Sequence, residues 1–190
     1  MSFTLIFFLI FRLTPDVALI EQVCLNEDEK LLFDVINAYR ETLELKSIPY
    51  SASLSKVAQA HVRDLAANYT FKRGAKCNPH SWSKQGEWSS CCYTSDHKKA
   101  KCMWDKPREI AGFDSNGYEI LSYSSDGVTP GEALIGWQNS RGHHELMINA
   151  ATWEKVTWNG MGVGIYKEWA VVWFAEKSDA EAGKSIQLCQ

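Results

Sequence analysis

Histidines and carboxylates stand close together near residue 140, where they could bind a metal ion or move a proton. His143, His144 and Glu145 directly follow an apolar helix face that ends near Trp137. Imidazole binds divalent metals and exchanges protons near neutral pH. We expect residues 139–142 to stop the helix, because glycine adopts the left-handed geometry of helix ends. This spacing suits a metal or acid–base site held beside a rigid element, although surface loops carry the same residue types.

Other residues of chemical interest are scattered along the chain. Ser81 lies beside His80, but adjacency in sequence is not the geometry of a catalytic triad. His61 falls on the apolar stripe of a predicted helix, so we expect a packed core or rim histidine there and not a ligand. Asn68 begins an Asn-Tyr-Thr sequence, which is a candidate glycosylation site in a eukaryotic secretory pathway.

The length and charge of the chain limit the classes of protein to which it can belong. A chain of 190 residues predicts one domain with a real core. The net charge of -3 argues against nucleic acid as the main partner. Residues 3–11 are apolar, too few for a transmembrane helix and suited to the centre of a signal peptide. We therefore predict a signal peptide at residues 1–18, with a membrane-surface segment as the alternative, and no transmembrane span in the mature chain.

An even number of cysteines follows this predicted signal peptide. Such a count in a secreted chain predicts disulfides and no free thiol, while the pairing stays open. Neighbouring cysteines rarely reach disulfide geometry, so Cys91 and Cys92 should bond to other partners. A zinc site is the alternative, but the chain has no CxxC pair. The six cysteines are Cys24, Cys77, Cys91, Cys92, Cys102 and Cys189.

The elements that must position these residues can be read from caps and periodicity. Asn26 with Glu29 predicts one helix start, and Thr129 with Glu132 predicts a capping box that begins another. A second helix is expected at about 54–68 and a short one at 105–110. Strands are expected at 117–123, 161–166 and 169–174, and the last two are close enough to form an antiparallel hairpin. The last strand is apolar on both faces, so the economical fold is an α+β protein with its sheet between two helical layers.

Several stretches, in order, resemble the CAP superfamily of cysteine-rich secretory, antigen-five and pathogenesis-related proteins. The resemblance covers roughly residues 27–176 and is similar to the bacterial-type branch with its Trp-x-x-Ser-x-x-His pattern. It implies a three-layer α-β-α sandwich with a central, mainly antiparallel sheet. The domain would span 24–180 with a cysteine-bearing loop at 77–102, and 181–190 would form a C-terminal tail. The matching stretches are 54–66, 80–81, 117–120 and 137–147, followed by 162–165 and 171–174.

The resemblance also implies a cleft with two histidines and two acidic residues. By motif, His80 and His143 match the histidines and Glu119 matches one acid. Ser140 stands at the position of the second acid, and Glu145 is a substitute for it. Tyr118 separates Gly117 from Glu119, which alters the glutamate motif.

Two functions follow from this cleft. The favoured one is a secreted, disulfide-braced protein that binds a ligand or partner, such as a lipid, a sterol or a surface receptor. Its cleft would bind zinc or another divalent cation weakly, and no other cofactor is expected. The alternative is a metal-dependent peptidase or esterase that uses the same residues. The missing second acid favours the non-enzymatic hypothesis, as does the absence of a strict zinc signature.

Overall fold

The computed structural model describes residues 23–180 and 185–190. The predicted signal peptide at residues 1–18 lies outside these described residues. Within them, no helix is long and apolar enough to cross a membrane.

Both long helices begin at side chains that cap them. Helix α1, Glu27–Thr42, has a capping box in which Asn26 accepts from the Glu29 amide at 2.8 Å and Glu29 accepts from the Asn26 amide at 3.0 Å. Helix α2, Ala52–Asn68, begins after Ser51, whose hydroxyl accepts from the amide of Leu54. These side chains satisfy backbone donors that a helix start leaves without partners. The cap predicted at Asn26 is therefore confirmed.

Two short helices come at the end of the long loop, and a third begins at Pro130. Helices α3, Lys101–Trp104, and α4, Lys106–Ala111, lie at the end of the cysteine-bearing loop. Gly112 ends α4 with a φ of 64°, a conformation that glycine adopts without steric cost. Helix α5, Pro130–Gln138, begins with the capping box predicted at Thr129, and its proline lies in the first turn.

The helix stop predicted at residues 139–142 is correct in place, because α5 ends at Gln138 with Asn139 as its cap, but the predicted role of the glycine is wrong. Helix α6, Arg141–Met147, begins almost at once, and Gly142 lies inside its first turn. The chain bends instead at Ser140, whose extended backbone has φ -102° and ψ 107°. A second helix is favoured here because it buries Leu146 and Met147 in the core. The two histidines therefore lie on a helix and not in a loop.

Three strands in the described residues form one antiparallel sheet. Strands β1, Tyr118–Tyr123, β2, Gly160–Tyr166, and β3, Trp169–Ala175, are ordered β1-β3-β2. The predicted hairpin between β2 and β3 is confirmed, and Lys167 in its turn has a φ of 53°. All seven residues of β3 are buried, as its apolar composition predicts.

Helices cover both faces of this sheet. On one face α2 approaches β2 so closely that a Cβ added at Gly162 would lie 2.2 Å from the backbone of Leu54 and Ser55. On the other face, residues of α1, α5 and α6 share a core with Ile120 and Val172 of the sheet. The α-β-α sandwich is therefore confirmed. A short 3-10 helix, Ala151–Trp153, follows α6.

The cysteines form three disulfides and leave no free thiol. This confirms the predicted redox state and excludes the alternative of a zinc site made of cysteines. Two bonds stabilise the loop at 77–102, and a third joins the two ends of the domain. Residues 185–190 include a bridge between Leu188 and Leu25 beside that third bond. The pairs are Cys77–Cys92, Cys91–Cys102 and Cys24–Cys189.

Candidate functional site

Glu119 is a buried carboxylate on the central sheet. It lies on β1 directly opposite Trp173 of β3. Residues opposite each other on antiparallel strands point to the same face of a sheet. Trp173 packs in the core cluster of α2, so Glu119 also faces α2, and its side chain is 0% exposed.

His61 meets Glu119 from helix α2. Its Nδ1 lies 2.5 Å from Oε2 of Glu119, and its Nε2 lies 3.1 Å from the carbonyl oxygen of Ser81. A carboxylate oxygen and a carbonyl oxygen can only accept hydrogen bonds. Both ring nitrogens must therefore donate, which makes His61 an imidazolium. Its ring stacks on Trp82 with centroids 4.1 Å apart, a contact that also favours a cation.

His80 meets the other oxygen of the same carboxylate. Its Nδ1 donates to Oε1 of Glu119 at 2.6 Å, and its side chain is 18% exposed. The amide of His80 donates to the Asn78 side chain, and the His80 ring lies 5.3 Å from that of Tyr93. In the part of the chain that the structure describes, Nε2 of His80 makes no hydrogen bond. Nε2 is therefore the nitrogen of His80 that is available to bind a ligand.

The carboxylate between these two rings is held in its ionised form. Burial raises the pKa of Glu119, but the charge of His61 and the hydrogen bonds from His61 and His80 lower it to about 2. Both oxygens are occupied. Glu119 therefore orients the two imidazoles, and its side chain is fully buried away from solvent.

His143 stands beside this group. It lies in the first turn of α6 and is partly buried. Burial lowers the pKa of His143, and the charge of His80 lowers it further, while Glu119 opposes both effects. His143 is therefore neutral near pH 7. The structure thus brings His80 and Glu119 into contact and places His143 within electrostatic range of both.

The two neighbouring candidates on α6 have partners elsewhere. His144 shares a hydrogen bond with the hydroxyl of Tyr39 on α1, with 2.9 Å between oxygen and Nε2. Glu145 accepts from Arg141 at 2.7 Å, one helical turn away. Ser140 occupies the cap position of α6, but its side chain makes no capping hydrogen bond.

Ser81 and Asn68 have structural contacts. The hydroxyl of Ser81 accepts from the amide of Tyr93 at 2.9 Å and points its hydrogen toward the Tyr93 carbonyl oxygen. This hydroxyl is used inside the loop and is not aligned with a base. Asn68 is exposed at the end of α2 and donates to Asp64 at 2.8 Å.

Sequence reasoning missed two members of the cluster. His61 is buried, as expected of a core histidine, yet it also contacts Glu119. A polar ring on an apolar helix stripe must find a partner, and that requirement was the available signal. Tyr93 was not recognised. It packs on His80, its hydroxyl lies 2.7 Å from Nδ1 of His97, and burial raises its pKa, as does Glu119.

The residues present fit a metal site of two imidazoles at most. Nε2 of His80 and the neutral ring of His143 are suitable ligands, and the carboxylate behind His80 orients it as such partners do in metal sites. Among the described residues, no group of three or more His, Cys, Asp or Glu is arranged to hold a metal ion. Strong zinc sites use at least three protein ligands, so affinity here should be weak.

Comparison with known sequences identifies one family. The model described as the cysteine-rich secretory protein (CAP) family matches residues 33–176, which are 144 of the 190 residues. No curated protein sequence is significantly similar to the chain.

Solved structures share the fold at low sequence identity. An extracellular protein with an SCP domain from Bacillus anthracis aligns with a TM-score of 0.55 and 21% identity, over 79% of this chain and 40% of its own. A cysteine-rich secretory protein from Staphylococcus aureus gives 0.52 and 16%, over 79% and 38%. An outer surface protein from Borrelia burgdorferi gives 0.52 and 21%, over 80% and 94%. The chain thus spans about two fifths of the first two proteins and most of the third.

Proposed function

Because the chain belongs to the cysteine-rich secretory protein (CAP) family, we propose that it is a secreted, disulfide-stabilised protein that binds a ligand or a protein partner. The cleft beside His80 and His143 is its binding site. Three disulfides support secretion, because such bonds persist in oxidising compartments. Lipids, sterols and surface receptors are the candidate classes of partner.

The observation that carries this proposal is the carboxylate shared by two imidazoles. Glu119 holds His61 on one side and His80 on the other, so the rings are fixed before any ligand arrives. A preorganised polar group loses little entropy when it binds. His80 therefore offers one oriented nitrogen at the cleft surface, which is the geometry of a recognition contact.

The same arrangement gives less support to a hydrolase. A general base must be within reach of water or substrate, and the side chain of Glu119 is fully buried behind two imidazoles. A nucleophile needs a hydroxyl aligned with a base, and the Ser81 hydroxyl bonds to the Tyr93 backbone. Binding is therefore the function that these contacts favour.

A divalent cation, zinc being the first candidate, would be held by Nε2 of His80 and the ring of His143. When bound, such an ion supplies open coordination positions for oxygen atoms of a ligand. The residues of the chain orient it: Glu119 fixes the His80 ring, and burial keeps His143 neutral and able to coordinate.

Zinc titration tests this site. We expect weak binding to the unmodified protein by calorimetry, with affinity falling steeply below the ordinary histidine pKa of about 6.5 because protons compete for the rings. The double change His80→Ala and His143→Ala should abolish most of the binding. His144→Ala is the matched control, because this neighbour on the same helix bonds to Tyr39 and should leave affinity unchanged.

Two outcomes would contradict the proposal. Zinc binding that survives the double histidine change would place the metal elsewhere. Turnover of a peptide or ester panel that requires zinc and disappears in His80→Ala would establish the hydrolase instead.

A further inference from the structure

Arg40 near the end of α1 is a buried charge with no carboxylate partner among the described residues. Its side chain belongs to a residue only 4% exposed. Arginine is almost never fully buried unless it is paired. Within the described residues, no Asp or Glu oxygen lies within ion-pair distance of its guanidinium. Most ion pairs in this part of the chain join exposed side chains.

The contacts of Arg40 are all with neutral oxygens. Nε and Nη2 donate to the carbonyl oxygen of Lys46 at 3.1 and 3.0 Å, and Nη1 donates to the Met147 carbonyl and to Asn149 Oδ1 at 2.5 and 2.9 Å. Met147 ends α6, and a cation is favoured at a helix C-terminus. These contacts explain how Arg40 joins α1 to α6. They do not neutralise its charge, and one Nη2 hydrogen has no acceptor among the described residues. Burial lowers the pKa of Arg40, because removal from water disfavours the charged form.

A cavity of about 420 Å³ opens beside this guanidinium. Lys46 contributes a second cation to it, and Thr157 contributes a hydroxyl that makes no hydrogen bond within the described residues. Of the nine described residues that line the cavity, none is acidic. The nearby carboxylate of Glu41 accepts from the Ser47 hydroxyl at 2.7 Å, and both of these side chains are exposed.

We propose that this cavity binds the oxyanion group, a carboxylate or a phosphate, of a small ligand. Arg40 and Lys46 supply the positive charge, and Thr157 supplies a hydrogen bond. Oxyanions form charge-assisted hydrogen bonds with guanidinium groups, and a buried cation strengthens them. The wall formed by Trp158 accommodates an apolar part of the same ligand. The cavity shares no residue with the cluster around Glu119, so the proposal is independent of the function given above.

Inorganic phosphate and acetate are the probes, titrated separately by NMR at constant ionic strength so that screening does not change. We expect saturable shifts in the amides of Thr157 and Asn159 with at least one of them, and none with chloride. Lys46→Ala should weaken that binding about tenfold, as the loss of one charge-assisted bond predicts. Lys72→Ala, which removes an exposed lysine outside the cavity, should leave it unchanged.

Arg40→Met should abolish binding, but it also removes the contacts that join α1 to α6 and can unfold the protein. Thr157→Val is therefore the second test. This exposed side chain makes no hydrogen bond to the described residues, so the change should weaken anion binding and leave stability unchanged. Shifts that fail to saturate with both anions would overturn the proposal. Binding that falls equally in Lys46→Ala and Lys72→Ala would also overturn it, since that result describes general attraction to lysines.

Discussion

At the scale of single residues, the central feature is one carboxylate that determines the state of its neighbours. Glu119 accepts from His61 and His80, and the two oxygens are used in different ways. The contact with His61 is buried, and neither nitrogen of that ring is available to a ligand, because the second one bonds to the Ser81 carbonyl oxygen. The contact with His80 leaves Nε2 of that partly exposed ring without a hydrogen bond among the described residues. Glu119 is thus a positioning residue for His80.

Glu119→Gln tests this arrangement. An amide keeps the shape of the side chain but removes the negative charge, which leaves the imidazolium of His61 buried without a counter-charge. We expect the free energy of unfolding to fall by about 3 to 5 kcal/mol, as for other buried pairs that lose one partner. Denaturant unfolding measures it. Glu154→Gln, at an exposed position, should change stability by less than about 0.5 kcal/mol.

The same variant gives a pH test. The pKa of Glu119 is 4.5 ordinarily and about 2 in the folded protein. Between these values the unfolded chain binds the extra proton, so stability from this carboxylate is fully present above pH 4.5 and is lost as pH falls to 2. The stability difference between the natural protein and Glu119→Gln should therefore shrink over this range. A difference that stays constant would contradict an ionised Glu119.

At the scale of elements, the close approach of α2 to β2 places His61 over the sheet. Gly162 and Gly164 lack side chains on the face that meets the backbone of α2. At the contact with Gly162, the Ser55 hydroxyl of α2 also accepts from the amide of Val163 at 3.2 Å. This spacing lets a histidine ring reach a carboxylate on β1, two strands away.

Gly162→Ala should disrupt this packing. The new Cβ would lie 2.2 Å from backbone atoms of Leu54 and Ser55, which cannot move aside as a flexible side chain can. We expect a loss of about 3 kcal/mol in unfolding free energy, at the upper end for overpacked cores. Gly131→Ala is the matched control, because a Cβ there meets nothing within 4 Å in helix α5. It should be neutral or slightly stabilising, and equal effects of the two changes would refute the close-packing argument.

At the scale of the whole molecule, the described ends of the chain are joined to each other. Cys24 bonds to Cys189 across 165 residues, and the amide of Leu25 donates to the carbonyl of Gln187 at 2.9 Å. Leu25 is fully buried between them. The Cys24–Cys189 bond lowers the conformational entropy of the unfolded chain more than the other two disulfides do, because they close much shorter loops.

Paired serine substitutions compare these bonds. Chain-entropy arguments give about 5 kcal/mol for closing a loop as long as that of Cys24–Cys189 and about 3 kcal/mol for one of 15 residues, as in Cys77–Cys92. Replacing Cys24 and Cys189 should therefore lower the melting temperature more than replacing Cys77 and Cys92. Calorimetry gives the melting temperature of each double variant. If the variant without Cys77–Cys92 melted at the lower temperature, that bond would act mainly through local packing and not through chain entropy.

The sequence by itself determined the features that depend on near neighbours. Capping boxes at Asn26 and Thr129 and the period of the apolar residues located the helices, because these signals act within one turn. The apolar run of β3 required cover on both faces, and an even cysteine count predicted disulfides. The family resemblance agreed with this layered arrangement and pointed to His80, Glu119 and His143.

Only the tertiary structure decided what depends on distant residues. The helix stops at residues 139–140 as predicted, but Gly142 lies inside a new helix, α6, because burial of Leu146 and Met147 outweighs the preference of glycine for a helix end. His61 is 58 residues from Glu119 in the chain, and no spacing rule connects them. Their contact arises because α2 crosses the sheet at glycines, which brings the imidazole within 2.5 Å of the carboxylate. Charge pairing in a buried site is a property of that packing, and it exists only once the chain has folded.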